Sequence, residues 1–261
     1  MRDARFWVVV ALLFSLLGCT SSENLNQRSA KSYQRMVNQM EMFGVVEHNS
    51  EAALRVQRVF ARLHPIAEKS NQSGSAFDWQ IVVLRNPKEA GAWTMPGGKM
   101  VIYTGLLEVL KLSDDELALI LAHEMAHVVK EHGKHQVNIS RASYALGLFG
   151  SVAASSLVNY AGSAVVLAPE YAVNKPYSRS SELEADRLGL LIMAEGGYNP
   201  NAAKRLWAKM YEFSGDNNGF LRQLASTHPA YAEREANLAE VLPQALEIYQ
   251  RSQRAATSQP N

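Results

Sequence analysis

The stretch LALILAHEMAHVVKEHG, residues 117–133, decides how the rest of the chain folds and what it can bind. It contains the H-E-x-x-H motif HEMAH at residues 123–127. Residues four positions apart in an α-helix lie one turn apart on the same face, so both histidines can bind one metal ion. Glu124 falls at the rim of that site, where a metal-bound water would lie. The spacing therefore predicts a zinc site with a carboxylate beside its water.

The flanking residues predict that this motif lies in a buried helix. Ser113 and Glu116 form a capping-box pattern at the helix start, and residues 117–122 are apolar nearly all round. Gly133 is a candidate for the glycine that follows a helix end. A pair of histidines on such a helix favours metal binding over ordinary core packing, so further ligands are expected elsewhere in the chain.

A second predicted helix, residues 178–191, carries a candidate third ligand. Ser181 and Glu184 form its capping box. Glu182 and Asp186 are four residues apart and share a face, on which Glu184 does not lie. Glu182 can supply a carboxylate ligand, while Asp186 can orient a zinc-binding histidine or act on the reaction intermediate. The alternative is that these acids only favour the positive end of a helix. Beside the H-E-x-x-H motif, the metal interpretation is preferred.

In this combination the chain resembles the HtpX and CAAX-protease-like zinc metallopeptidases (metallopeptidase family 48), which include the periplasmic proteases LoiP, YcaL and BepA. The resemblance covers residues 79–238. It implies a zincin-like (gluzincin) domain, α+β but mainly α, with a small antiparallel sheet and one Zn²⁺ per chain. The metal ligands that it implies are His123, His127 and Glu182, and the catalytic residues are Glu124, as general base, and Asp186, as proton donor.

Three further histidines follow the motif. His132 and His135 lie too far along the chain to join the site, and we predict that they are solvated. Residues 227–229 (THP), followed by Arg234, are similar to a C-terminal H-P motif of the same family. His228 then lies near the zinc, where it either stabilises the oxyanion as a catalytic residue or occupies the open coordination position in a resting state. The alternative is a histidine at a helix start that only packs.

Short β-branched and aromatic runs before the metal-binding helix predict a small sheet. Residues 79–85 form one strand, residues 93–95 an edge strand and residues 99–103 a third, with a turn at residues 96–98. An extended peptide can bind by adding a strand to a free sheet edge. This substrate role depends mainly on the resemblance. The candidate substrate-binding residues are Trp93, Thr94 and Met95.

The N-terminus predicts a lipoprotein. Residues 1–18 combine a short basic start with an apolar run of secretory-signal length, and LLGC at residues 16–19 is similar to a bacterial lipobox. Cys19, the single cysteine of the chain, is then acylated and holds the protein on a membrane. Thr20 in the next position favours the periplasmic side of the outer membrane, by resemblance to the lipoprotein sorting rule. The alternative is a plain signal peptide or an anchor helix with an incidental cysteine.

The 261 residues are expected to form one medium-sized domain with appendages. Residues 19–50 comprise a lipidated tether, flexible as far as residue 32, and the start of a helix. The metallopeptidase domain is assigned to residues 51–254, within which Pro65 ends or bends one helix and Pro243 separates two others. Residues 255–261 form a disordered tail.

The uncharged segment at residues 142–168 is rich in alanine, glycine and serine. It is long enough to span a membrane, but its small and polar residues weaken the signal for insertion. A helix pair or mobile lid over the site is therefore preferred to a transmembrane span.

The expected partners are polypeptides. A formal net charge of +1 gives no reason to expect nucleic acid. The resemblance implies that the substrates are misfolded or unassembled envelope proteins. The alternative is a non-enzymatic zinc-binding lipoprotein, a chaperone or adaptor that binds outer-membrane assembly factors. A pure binding module has no need of the Glu124 carboxylate, so hydrolysis is preferred.

Overall fold

The computed structural model describes residues 20–139, 176–214, 228 and 232–257. The predicted signal peptide, Cys19 and the uncharged segment 142–168 lie outside these residues. Within them, no helix combines the length and the apolar character that crossing a bilayer requires.

The described chain is mainly helical with one small sheet. The strands are β1 (Val46–Glu47), β2 (Gln80–Leu84), β3 (Ala92–Met95) and β4 (Lys99–Tyr103). The helices are α1 (Ser22–Met42), α2 (Glu51–Lys69), α3 (Thr104–Val109), α4 (Asp114–Val129), α5 (132–139), α6 (Arg179–Glu195), α7 (Ala202–Ser214) and α8 (Ala232–Thr257).

The sheet is mixed, so the predicted antiparallel sheet is wrong. Its strand order is β1-β2-β4-β3, in which β2 and β4 run parallel and the other two pairs are antiparallel. The turn at residues 96–98 is confirmed, because Gly97 and Gly98 have φ angles of 83° and 86°, which favour glycine. This hairpin places β4 inside and β3 at the edge. β4 runs parallel to β2. The alternation of side chains along a strand does not reveal this direction.

The sheet separates two apolar cores. Ile81 and Ile102 face a large core with α2, α4, α6 and α8, whereas Val82 and Val101 face a smaller core covered by α1. The flexible tether predicted for residues 20–32 is wrong from residue 22 onward, because α1 begins at Ser22. The small serines of this segment pack in the same buried stripe as its apolar residues, so a polar composition concealed a docked helix.

Two helices continue through prolines. α2 continues through Pro65 as far as Lys69, and α8 continues through Pro243, so the predicted separation at Pro243 is wrong. Buried residues lie on both sides of that proline, which keeps the helix against the core. The predicted disordered tail is wrong for residues 255–257, which complete α8; residues 258–261 lie outside the described chain.

The metal-binding helix α4 begins with the predicted capping box of Ser113 and Glu116, and it is buried along nearly its whole length. It ends earlier than predicted, because Glu131 rather than Gly133 adopts the left-handed conformation (φ 52°). α6 begins at Arg179 with Ser178 as its N-cap, so the predicted cap at Ser181 is wrong. The sequence offers several serines there, and the helix begins at the first of them.

Candidate metal centre

Four side chains from separate parts of the chain converge at one point. His123 and His127 come from α4, Glu182 comes from the first turn of α6, and His228 precedes α8. One ligand atom from each of them lies within 4.8 Å of all the others. The structure thus brings together the three ligands implied by the resemblance and one residue whose role the sequence left open.

Four of the separations between these atoms are close to those between the ligands of one zinc ion. His123 Nε2 lies 3.0 Å from His127 Nε2 and 3.4 Å from His228 Nδ1. Glu182 Oε1 lies 3.4 Å from His127 Nε2 and 3.1 Å from His228 Nδ1. Tetrahedral bonds of about 2.0–2.1 Å place ligand atoms roughly 3.4 Å apart. Two ring nitrogens at 3.0 Å cannot both point a proton at each other, so at least one of them offers a lone pair.

His228 supplies a fourth candidate ligand atom, whereas a catalytic zinc site has three protein ligands and a position for water. Its Nδ1 belongs to the ligand group, and its Nε2 lies 3.2 Å from Glu124 Oε1. Burial lowers the pKa of His228, but the carboxylates of Glu124 and Glu182 outweigh this effect and raise it to about 10. In the metal-free protein the ring is therefore a cation between two carboxylates. Of the roles that the sequence left open, this geometry favours the resting-state ligand.

Glu124 is buried at the edge of the ligand group, with 2% of its surface exposed. Its Oε1 contacts His228, whereas its Oε2 has no hydrogen-bond partner among the described residues. A buried carboxylate oxygen without a donor is costly. Its position beside the ligands suits an acceptor for a proton from a water bound at this centre.

The sequence comparisons agree with this geometry. The pattern described as Peptidase family M48 matches residues 51–242, which include all four converging side chains. The chain belongs to peptidase family M48. It is 34% identical over 192 residues to the mitochondrial metalloendopeptidase OMA1 of Schizosaccharomyces pombe, a match that covers 74% of this chain and 53% of that protein.

Two bacterial relatives are also similar. Identity with the metalloprotease LoiP of Escherichia coli is 26% over 199 residues, covering 73% of this chain and 70% of LoiP. A putative beta-barrel assembly-enhancing protease of Vibrio cholerae is 29% identical over 154 residues, covering 56% of this chain and 31% of that protein. The chain spans about half the length of the yeast OMA1 relatives that it matches.

In this M48 site, Asp186 contacts the candidate ligand His123 at the ring nitrogen that faces away from the ligand group. Its Oδ1 lies 3.0 Å from His123 Nδ1, and it accepts two hydrogen bonds of 2.7 Å from Arg234. Arg234 also forms a 2.7 Å ion pair with Glu182. Burial raises the pKa of Asp186, but Arg234 and His123 outweigh burial and hold that pKa below its usual value. Of the two roles considered for Asp186, the geometry favours orienting His123.

Sequence reasoning missed Tyr177, which no motif singles out. Its ring stacks on that of His127, with 3.8 Å between the ring centroids and 17° between the ring planes, and Tyr177 lines the same cavity as Thr94 of β3. Thr94 and Met95 line a narrow cavity beside His127, whereas Trp93 packs in the smaller core. Tyr177 thus contacts the candidate ligand His127 in a cavity that the edge strand also lines.

His132 was predicted to be solvated, and this prediction is wrong. Only 4% of its surface is exposed, and its Nδ1 lies 2.8 Å from His127 Nδ1. The helical spacing from His127 to His132 did not apply, because α4 ends at Val129 and the chain turns back. His135 is exposed, as predicted. The H-x₄-H spacing of His127 and His132 was the one signal in the sequence for this contact. It could be interpreted only with knowledge that α4 ends between the two histidines.

Proposed function

We propose that this protein is a zinc-dependent endopeptidase, anchored by a lipid on Cys19 to the periplasmic side of the outer membrane, that cleaves misfolded or unassembled envelope proteins. The observation that carries the proposal is the convergence of His123, His127 and Glu182 beside the buried Glu124 carboxylate. These are the donor types that zinc prefers in peptidases, with a base placed next to them.

The residues of the site divide the reaction between them. When bound, zinc supplies a Lewis acid and lowers the pKa of a water molecule to about 7. Glu124 takes the proton of the attacking water through its unpartnered Oε2 and passes it to the leaving amine. His228 must first leave, since it contacts both Glu124 and the ligand group. Arg234 and Asp186 keep Glu182 and His123 in place meanwhile.

The substrate would bind along β3. This strand lies at one edge of the described sheet and beside α4, and its Thr94 lines one cavity together with Tyr177 and His127. The side chains of Trp93 and Met95 are buried, so an extended substrate would pair with the backbone of β3 rather than with these side chains. This mode of binding suits unfolded segments, because a folded domain does not offer a free strand.

The second candidate function is a zinc-binding adaptor or chaperone for outer-membrane assembly. The contacts of His228 with Glu124 and Glu182 favour this candidate. A site that His228 blocks is inactive unless the ring moves away. The lipid anchor is common to both candidates and is tested separately. Labelling of cells with a palmitate analogue should modify the full chain, and Cys19→Ser should abolish the modification; labelling of the variant would refute the anchor.

Zinc analysis and casein digestion test the two functions on the chain that begins at Thr20. An endopeptidase should digest casein, and Glu124→Gln should keep its zinc while losing activity by about 10²–10⁴-fold. Glu182→Gln should lose zinc, and Glu108→Gln, at an exposed glutamate on α3, should behave as wild type. Undiminished digestion by Glu124→Gln would refute the mechanism. A zinc-loaded protein that remains inactive even with His228→Ala would favour the adaptor.

A further inference from the structure

A hydrogen-bonded series connects a metal ligand to the surface. His127 Nδ1 lies 2.8 Å from His132 Nδ1, and His132 Nε2 lies 3.2 Å from Glu184 Oε2. Glu184 also forms a 2.7 Å ion pair with Lys130, and its side chain is 47% exposed. Of these residues, His132, Glu184 and Lys130 lie outside the ligand group, and none of the three contacts Glu124 among the interactions of the described chain.

If His127 binds the metal through Nε2, both hydrogen bonds are donated in the same direction, from His127 toward Glu184. A ring that binds a metal at Nε2 carries its proton at Nδ1, so His127 donates to His132 Nδ1. His132 then carries its own proton at Nε2 and donates it to the Glu184 carboxylate. Each donor meets an acceptor, and the His127 tautomer that this series favours is the one with a free Nε2 lone pair.

The backbone is bent at the residue that makes this contact possible. Glu131 has a φ of 52°, a left-handed conformation that residues other than glycine seldom adopt. This turn follows the end of α4 at Val129 and returns His132 to the ring of His127. Such strain persists where the surroundings impose it and is frequent at functional sites. Lys134 contacts the Glu131 carboxylate at 3.1 Å and holds the turn.

We propose that His132 and Glu184 are positioning residues for the metal ligand His127. The edge of the His127 ring is held by His132 and its face by Tyr177, so both its tautomer and its plane are set before a metal binds. The other histidine on α4, His123, is held in the same way, because its Nδ1 contacts the Asp186 carboxylate. The inference rests on the metal site proposed above and adds residues that lie behind it.

Zinc affinity tests this role without any dependence on peptidase activity. The full chain, purified in detergent and stripped of metal, is titrated with zinc against a chromophoric chelator. His132→Ala should weaken zinc binding by about 10–100-fold. His132→Asn, whose amide oxygen replaces Nδ1 as acceptor but cannot reach Glu184, should give an intermediate loss. Glu184→Ala should weaken binding less than His132→Ala, and His135→Ala, at an exposed position on the same helix, should not change it.

Cobalt substitution and unfolding exclude a role in packing alone. The visible absorption bands of the Co²⁺ form should shift in His132→Ala, because the ligand ring is free to rotate, and should return toward wild type in His132→Asn. A histidine that only packs would lower the stability of the metal-free protein and leave zinc affinity within about threefold of wild type, and that result would overturn the proposal. Failure of the wild type to bind zinc would instead refute the metal site itself.

Discussion

Gly189→Ala should push apart the two helices that share the metal ligands. Gly189 lies on α6 where this helix crosses α4, directly behind His123. A Cβ atom at this position would lie 2.9 Å from both the backbone nitrogen and the Cα of His123, and 3.1 Å from the carbonyl carbon of Ala122. These neighbours are backbone atoms, so no side-chain end can move aside.

The size of the effect follows from these distances. Carbon atoms in contact lie about 3.5–4.0 Å apart, so the helices must separate by roughly 0.8 Å. Overpacking of this kind costs about 1–3 kcal/mol, while alanine in place of glycine inside a helix recovers roughly 0.5–1 kcal/mol. We expect a net loss of about 0–2.5 kcal/mol in the free energy of unfolding, with a central value of about 1 kcal/mol. Zinc affinity should also fall, because His123 and Glu182 lie on opposite sides of the widened gap.

Urea unfolding with a chelator present measures the stability change, and competition titration measures the zinc affinity. Gly133→Ala is the matched control, because its Cβ would lie 3.4 Å from a side-chain atom of Pro96, an ordinary contact. This control should be as stable as wild type or slightly more so. Equal stability and equal zinc affinity for Gly189→Ala and wild type would refute the argument from close helix packing.

Four other changes should give measurable results. His228→Ala should raise the initial rate of casein digestion, because it frees the fourth ligand position and Glu124; a lower rate would indicate that His228 assists catalysis. Chelation should lower the melting temperature, and zinc at 1,000 times its Kd should restore about 4 kcal/mol of stability. Arg234→Met should cost about 3–5 kcal/mol in the metal-free protein, because it leaves the buried Asp186 carboxylate without its cation. The pKa of Asp186 is lower in the folded protein than in the unfolded chain. The contribution of Asp186 to stability should therefore be complete above about pH 4 and be lost as the pH falls through its folded-state pKa. Asp186→Asn should remove this acid dependence in chelator-treated protein.

The sequence by itself determined what lies within one helix. His123, Glu124 and His127 were predicted together because a helix turn fixes where residues four positions apart point. The capping box at Ser113 was predicted for the same reason, since its hydrogen bonds span three residues. The hairpin turn at residues 96–98 likewise depends on the local conformational freedom of glycine.

Only the tertiary structure decided which distant residues meet. It placed His228 against residues 46 and 105 positions away along the chain, and it turned His132 back onto His127 where helix periodicity had predicted solvent. It also docked the serine-rich α1 on the sheet and set β4 parallel to β2. Local sequence patterns specify where side chains point from one helix or strand. Contacts between two elements depend instead on how closely those elements pack. At this site that closeness depends on a glycine, Gly189, which lets α6 rest against the backbone of α4.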